Sequence, residues 1–399
     1  MNRVMPAKKI TASFAAGLIS IAMSWAAQAT PHIPANGSDV IEHLPDRNDP
    51  AQREFQRLRA ALAAKPGDLQ ISEELARRYI NLARTEGDPR YLGYAQATLA
   101  PWWSMAQPPT SVLVLRATLR QSTHQFPAAL EDLNAVLKAD HDNAQAWLTR
   151  ATVLQVQGQY AMAKNSCEHL YALAPDLITT TCLANVGSLN GEASQSYALL
   201  SDSLKKNPSA DAAIKIWVLT LLAEMSARRG DAPAAERLFR QAMEMATPDS
   251  YLLGAYSDFL LDQKRPAEVA ALLKSKRRVD ALLLRYAIAL DALHDPAAGE
   301  QADVLAQRFS AAMMRADTVH QREHSRFELH LRNDPKEALR IAQLNWAIQK
   351  EPADVRVYLE AAAAANDRKA AAPLLLWLKQ SRLEDVSLTP LINKLGGGA

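Results

Sequence analysis

The chain has 399 residues, of which 48% are hydrophobic and 22% are charged, and its formal net charge is +2. This hydrophobic content is ample for a buried core, and the near-neutral charge argues against a general nucleic-acid or anionic-membrane binder. Helix-favouring residues dominate, and glycine is scarce with 14 residues, so we expect an all-α fold.

Residues 1–29 have the features of a secretory signal peptide. Arg3, Lys8 and Lys9 precede a mostly apolar stretch, and an Ala-Gln-Ala cleavage site ends at residue 29. Cleavage removes three cations and lowers the formal charge from +2 to −1. The alternative is an uncleaved anchor, and the clear small-residue cleavage site favours cleavage over it. No other stretch approaches about 18 unbroken apolar residues. We expect a soluble periplasmic or secreted protein with no integral membrane segment.

Three segments lie before or between the regular elements. Residues 30–51 are rich in Pro, Asn and Asp and predict a flexible arm, whereas the amphipathic stretch at 52–67 predicts a capping helix. Further on, Trp102 and Trp103 lie in a Pro-bounded connection over 101–109. We expect them to pack over a neighbouring helix end, and an exposed anchor for peptides is the alternative.

A pattern repeats every 34 residues in the middle of the chain. The triplet Arg-Ala-Thr at 116–118 recurs at 150–152, and Ala129 and Ala163 keep the same spacing. A period of this length, with two helices in each unit, indicates an array of helical hairpins.

Within the clearest unit, each special residue has a packing role. Ala151 and Ala163 are small and let facing helices approach closely, while Tyr160 fills the space beside them. Gly158 is placed at the turn between the helices, and Pro175 ends the second helix. One such pair cannot bury its apolar face alone, so neighbouring pairs must stack.

These features resemble the tetratricopeptide repeat, with its period, small residues, aromatic and closing proline. The resemblance implies a right-handed α-solenoid of about eight or nine units over 68–386, clearest at 110–176 and 212–278. A tail at 387–399 follows.

The two cysteines, Cys167 and Cys182, fall on consecutive predicted helices. In an oxidising compartment we expect a disulfide between them, because adjacent antiparallel helices can bring them within bonding reach. Two buried free thiols are the alternative, and the spacing does not match a redox C-x-x-C pair.

One short motif matches a zinc-binding pattern. His320, Glu323 and His324 match H-x-x-E-H, in which two His bind zinc and Glu activates water. No third ligand is identifiable, and we expect a solvated helix face instead. Elbow, phosphate-loop and paired C-x-x-C motifs are absent from the sequence, so we assign no catalytic residue and no cofactor.

The resemblance implies a concave groove that is lined by the first helices and binds a peptide or a partner helix. The Lys and Asn residues with which chaperone-binding members clamp a C-terminal carboxylate are replaced by Val, Leu and Thr in the two best repeats. The candidate groove residues are Val114, Thr118, Gln121, Leu148, Thr152, Gln155, Arg116 and Arg150. For the two arginines we favour pairing with a neighbouring carboxylate over contact with a ligand.

The sequence therefore predicts a non-catalytic interaction scaffold in the periplasm whose partner is a protein or peptide and not a nucleic acid. A soluble accessory subunit of an envelope secretion or polysaccharide-export assembly is one alternative. A zinc hydrolase that uses the H-x-x-E-H motif is the other.

Overall fold

Helical hairpins account for nearly all of the described chain. The computed structural model describes residues 36, 38, 50–315, 317 and 319–396, and none of these lies in a β-strand. The hairpins belong to one compact unit that begins at Phe55. The predicted signal peptide and most of the predicted arm lie outside the described residues. Among the described helices, none is both long enough and apolar enough to cross a membrane.

Nine hairpins follow one another, and we number them in chain order as hairpins 1 to 9. Their first helices are α2 (Leu69–Glu86), α5 (Thr110–Ser122), α7 (Ala144–Val156), α9 (Asp176–Ser188), α11 (Ala212–Arg228), α13 (Ser250–Asp262), α15 (Asp280–Ala292), α17 (Gln321–His330) and α19 (Pro352–Ala364). Their second helices are α3 (Arg90–Thr98), α6 (Phe126–Ala139), α8 (Tyr160–Glu168), α10 (Ala193–Lys206), α12 (Ala232–Met245), α14 (Pro266–Leu273), α16 (Ala297–Met314), α18 (Pro335–Ile348) and α20 (Arg368–Ser381). The remaining helices are α1 (Pro50–Ala64), α4 (Ala100–Trp103) and α21 (Thr389–Lys394), with short 3-10 helices at His169–Ala172 and Val386–Leu388.

Every hairpin turns through one residue with positive φ. This left-handed backbone ends the first helix and reverses the chain, and it favours glycine or asparagine. Gly158 has this conformation, as its place in the repeat predicts, and Lys264 has it at the equivalent position of hairpin 6. The nine turn residues are Gly87, His124, Gly158, Gly191, Gly230, Lys264, His294, Asn333 and Asn366.

Polar side chains cap many helix starts. The Asp68 carboxylate accepts the Ile71 amide at 3.1 Å, and the Asn143 side chain accepts the Ala146 amide at 3.0 Å. Such caps satisfy amides that have no partner inside the helix, and each contributes about 1 kcal/mol. The same capping occurs at Asp211, Asp231, Asp249, Asp334 and Asp367.

Small residues bring the helices of hairpin 3 together. Ala151 on α7 and Ala163 on α8 are buried, and the Tyr160 ring is buried beside them. The surrounding apolar cluster runs from Leu113 on α5 to Leu189 after α9, so neighbouring hairpins share one core.

A cysteine pair joins hairpins 3 and 4. Cys167 on α8 and Cys182 on α9 lie at disulfide distance, with their Cα atoms 5.6 Å apart. The sequence places these residues on consecutive helices, and the stacking of the two hairpins brings their side chains together.

The segments that follow hairpin 1 and hairpin 9, near the two ends of the array, are held by their own side chains. Trp102 is buried, and the Trp103 ring lies beneath the guanidinium groups of Arg116 and Arg120, at 5.9 and 6.0 Å, as the packing interpretation predicts. At the other end, the predicted tail instead contains α21. Leu388, just before α21, is buried in the core of hairpin 9 and holds this segment in place.

Distant hairpins touch along one edge of the array. The Ser250 hydroxyl, at the start of hairpin 6, donates to the Arg84 carbonyl of hairpin 1 at 3.1 Å. A Cβ on Gly87 would lie only 2.8 Å from Val279, which follows hairpin 6, so this turn is closely covered.

The same relation recurs further along the chain. The Lys350 amide, after hairpin 8, donates to the Val156 carbonyl of hairpin 3 at 2.7 Å. The Ala193 amide of hairpin 4 donates to the Glu384 carboxylate, after hairpin 9, at 3.2 Å. The unit is therefore a superhelix with between five and six hairpins per turn, and its consecutive turns touch. We call this line of contacts the seam.

Candidate binding cavity inside the superhelix

The first helices enclose a cavity at the centre of the superhelix. It has a volume of about 790 Å³ and is lined by residues of hairpins 1 and 3 to 9. A second cavity has a volume of about 590 Å³, and Glu224, Arg228 and Asp258 line both cavities. We call the two cavities together the lumen. Both volumes fall within the roughly 300–1,000 Å³ typical of ligand sites.

One carboxylate in the lumen ties three hairpins together. Asp258 on α13 forms ion pairs with Arg285 on α15, at 2.5 Å, and with Arg326 on α17, at 3.0 Å. Burial opposes ionisation of this carboxyl, but the two guanidinium groups hold its pKa well below the ordinary value. The carboxylate is therefore charged at neutral pH.

A second network lies in the smaller cavity. Arg356 on α19 contacts Asp262 of α13 at 2.6 and 2.7 Å and Glu360 of its own helix at 2.8 Å. Although Glu360 is surrounded by protein, His330 and Arg356 lower its pKa to about 2. These charges neutralise one another across the space between hairpins 6, 8 and 9.

A third network surrounds Arg322 at the start of α17. Its guanidinium lies 3.2 Å from Glu323 and 3.0 Å from Glu351. Burial opposes the ionisation of Glu323, but Arg322 and other nearby cations lower its pKa to about 2. Three networks of paired arginines and carboxylates therefore lie along the lumen wall, among apolar side chains.

The H-x-x-E-H residues do not form a solvated face, and that prediction is wrong. Glu323 and His324 are only 6% and 7% exposed, because α17 lies between the lumen and its neighbouring helices. Glu323 lines the large cavity, whereas His324 lines a separate small cavity and stacks on Phe309 at 4.9 Å.

Glu323 and His324 also have other partners. Glu323 is paired with Arg322, and His324 Nε2 lies 3.2 Å from Glu328. His320 lines both the large and the small cavity. Within the part of the chain that the structure describes, no group of three or more His, Cys, Asp or Glu side chains is arranged to hold a metal ion.

The predicted groove residues divide into two sets. Thr152 and Gln155 of α7 line the large cavity. Four other uncharged candidates on the first helices are half-buried and line neither cavity. These are Val114, Thr118, Gln121 and Leu148. In both repeats the threonine hydroxyl donates to the carbonyl four residues earlier, from Thr118 to Val114 and from Thr152 to Leu148.

The two candidate arginines bind between helices. Arg116 contacts both carboxylate oxygens of Asp132, at 2.7 and 3.0 Å, as the pairing interpretation predicts. For Arg150 that interpretation is wrong, because it donates to the Asn134 side-chain oxygen and the Ser166 hydroxyl. α6 and α8 provide these partners, so both guanidinium groups face the second helices.

Sequence reasoning missed the charged wall of the lumen. The available signal is a pair of charged residues four apart, which recurs in several first helices and places both side chains on one helix face. The pairs are Glu224 and Arg228, Asp258 and Asp262, Arg322 and Arg326, and Arg356 and Glu360.

The fold is thus a tetratricopeptide-like array of helical hairpins with a cavity inside its superhelix that both ion-paired and apolar side chains line. No family model matches the sequence, and no curated protein matches it.

Several solved structures are similar in fold at low sequence identity. A tetratricopeptide repeat protein from Parabacteroides merdae is 14% identical, with a TM-score of 0.46 over 60% of this chain and 92% of that one. Yeast Tom70 is 14% identical, with a TM-score of 0.40 over 82% of this chain and 61% of Tom70. A monomeric mutant of IFIT1, solved with m7Gppp-AAAA, is 14% identical, with a TM-score of 0.42 over 85% of each chain.

Proposed function

We propose that this protein is an exported, non-catalytic scaffold that holds a segment of a partner protein inside its lumen. The observation that carries the proposal is the large cavity itself, whose walls come from eight of the nine hairpins. A chain segment inside it contacts many repeats at once, so the array supplies a long binding surface from short units.

The character of the wall favours a polypeptide over a purely apolar ligand. Leu221, Trp217 and Tyr251 line the cavity together with ion-paired arginines and carboxylates. Peptides present backbone donors and acceptors beside apolar and charged side chains, and this wall offers partners for each of them. We assign the periplasm as the site of action on the basis of the predicted signal peptide.

Site-specific photocrosslinking tests where the partner binds. A photoreactive phenylalanine analogue replaces Thr152 in the lumen, and the matched control replaces Tyr171, whose side chain is 69% exposed. After irradiation of intact cells, we expect a protein adduct from position 152 and none from position 171. An adduct from 171 alone, or none from 152, contradicts binding in the lumen.

Export is tested separately with the full-length gene. We expect cell fractionation to place the protein in the periplasm and the mature chain to begin at Thr30. Retention in the cytoplasm, or an intact amino terminus on the soluble protein, contradicts the proposed localisation.

A further inference from the structure

Two charged side chains at the junction of the cavities differ from the paired charges next to them. Glu224 and Arg228 lie one turn apart on α11, and both line both cavities. Among the described residues, neither has an ion-pair partner within 4.0 Å, and Arg228 instead donates to the Ser188 hydroxyl at 3.2 Å. The neighbouring charges Asp258, Arg285 and Arg322 are all paired.

One aromatic side chain contacts the unpaired carboxylate, and a second lines the same cavity. The Tyr251 hydroxyl donates to both oxygens of Glu224, at 2.9 and 3.1 Å. Trp217 lies on α11 two turns before Glu224 and lines the same cavity. Although Tyr251 is 56% exposed, it faces the lumen and not the outer surface of the superhelix.

The surroundings of Glu224 disfavour its ionisation. Burial raises the pKa of Glu224 to about 7, while Arg228 and the Tyr251 hydroxyl act in the opposite direction. Asp258 of α13 and Glu351 before α19 raise this pKa further, because negative charge nearby disfavours a second carboxylate. A cation beside Glu224 would relieve this penalty.

Resting on the proposed function, we propose that Glu224, Trp217 and Tyr251 bind a basic side chain of the partner segment, with arginine as the best fit. The carboxylate pairs with the guanidinium, and the two rings provide faces on which a planar cation stacks. Arg228 binds carbonyl or carboxylate oxygens of the same segment on the side of the second cavity.

The test uses two acetylated and amidated pentapeptides as probes. One has a central arginine between alanines, and the other has citrulline, which keeps the shape and removes the charge. With the purified mature protein, we expect saturable binding of the arginine peptide, about tenfold tighter than that of the citrulline peptide. Glu224→Gln should abolish this preference, whereas Glu131→Gln on the exposed side of α6 should retain it.

The pH dependence gives an independent measurement. Because only ionised Glu224 attracts the cation, affinity should rise as the pH increases through about 7 and then level off. Glu224→Gln should flatten this profile. Circular dichroism must show that each variant is folded.

Three results overturn the inference. They are no saturable binding of the arginine peptide, equal affinity for the citrulline peptide, or a charge preference that survives in Glu224→Gln. Equal affinity would indicate that Glu224 and Arg228 satisfy each other in solution, and a surviving preference would indicate that another carboxylate binds the cation. If photocrosslinking from position 152 succeeds while the charge preference fails, the lumen binds a partner by other contacts and only this inference is lost.

Discussion

The replacement of Asp258 by asparagine tests whether ion pairs in the lumen hold the hairpins together. Asp258 is 29% exposed, and its partners Arg285 and Arg326 are 8% and 18% exposed. Loss of one partner from a fully buried pair costs about 3–5 kcal/mol, whereas an exposed pair contributes about 0.2–1 kcal/mol. Asparagine keeps one acceptor oxygen and the lumen admits water, so we expect a loss of about 2–3 kcal/mol.

Urea unfolding at neutral pH measures the loss, and hydrogen exchange shows where the structure opens. We expect faster exchange in α13, α15 and α17. Asp262→Asn is the matched control, because Asp262 and Arg356 are each 37% exposed and should contribute less than about 1 kcal/mol. Equal losses in both variants, or a loss below about 1 kcal/mol in Asp258→Asn, would refute the reasoning.

The sign of the pH dependence provides a further check on Asp258. Its pKa is lowered on folding, so its stabilisation is complete above the unfolded value of 3.8 and declines as the pH falls through the folded value. The difference between the wild-type protein and Asp258→Asn should therefore shrink in acid. A difference that grows as the pH falls would show that the aspartate is not stabilised as a charged group.

Three other variants test the fold and the predicted zinc motif. Ala163→Leu should lower the stability by about 1–3 kcal/mol through overpacking, while Ala161→Leu on the exposed side of the same helix should stay close to wild type in a thermal melt. Cys167→Ser should lower the free energy of unfolding by about 3 kcal/mol. Thiol titration of the unfolded, unreduced wild-type protein should find neither Cys167 nor Cys182 free, and two titratable thiols would contradict the disulfide. His324→Ala should lower the free energy of unfolding by about 1–3 kcal/mol, because the ring is buried. Neither the wild-type protein nor the variant should bind zinc stoichiometrically. One zinc per chain that is lost in the variant would support a metallohydrolase.

The local part of the fold follows from the sequence because it depends on near neighbours. The small residues Ala151 and Ala163 recur one period earlier as Ala117 and Ala129, and glycine marks the turn in hairpins 1, 3, 4 and 5. Close helix packing favours small residues and left-handed turns favour glycine or asparagine, so a single sequence displays these features. The turns at His124, Lys264 and His294 have no such mark.

The seam and the lumen could not be predicted in this way. Lys350 and Val156 are far apart in the sequence and bond through their backbones, which leaves no mark on residue type. The position of α17 beside the lumen depends on how the hairpins wind, and so does the burial of Glu323 and His324. Arg150 illustrates the same difficulty, since its partners Asn134 and Ser166 are uncharged.

The seam changes what the addition or loss of a repeat does to this molecule. In an open solenoid each unit contacts only its nearest neighbours. The two ends can therefore unfold independently, and the array can lengthen by duplication of a unit. Here the turn of hairpin 3 is hydrogen-bonded to the connection after hairpin 8, and the turn of hairpin 4 is hydrogen-bonded to the connection after hairpin 9. Deletion of any hairpin between them would shift every later contact by one place, even if each remaining hairpin still folded. The number of units is therefore fixed by geometry, and the two halves of the chain should unfold together.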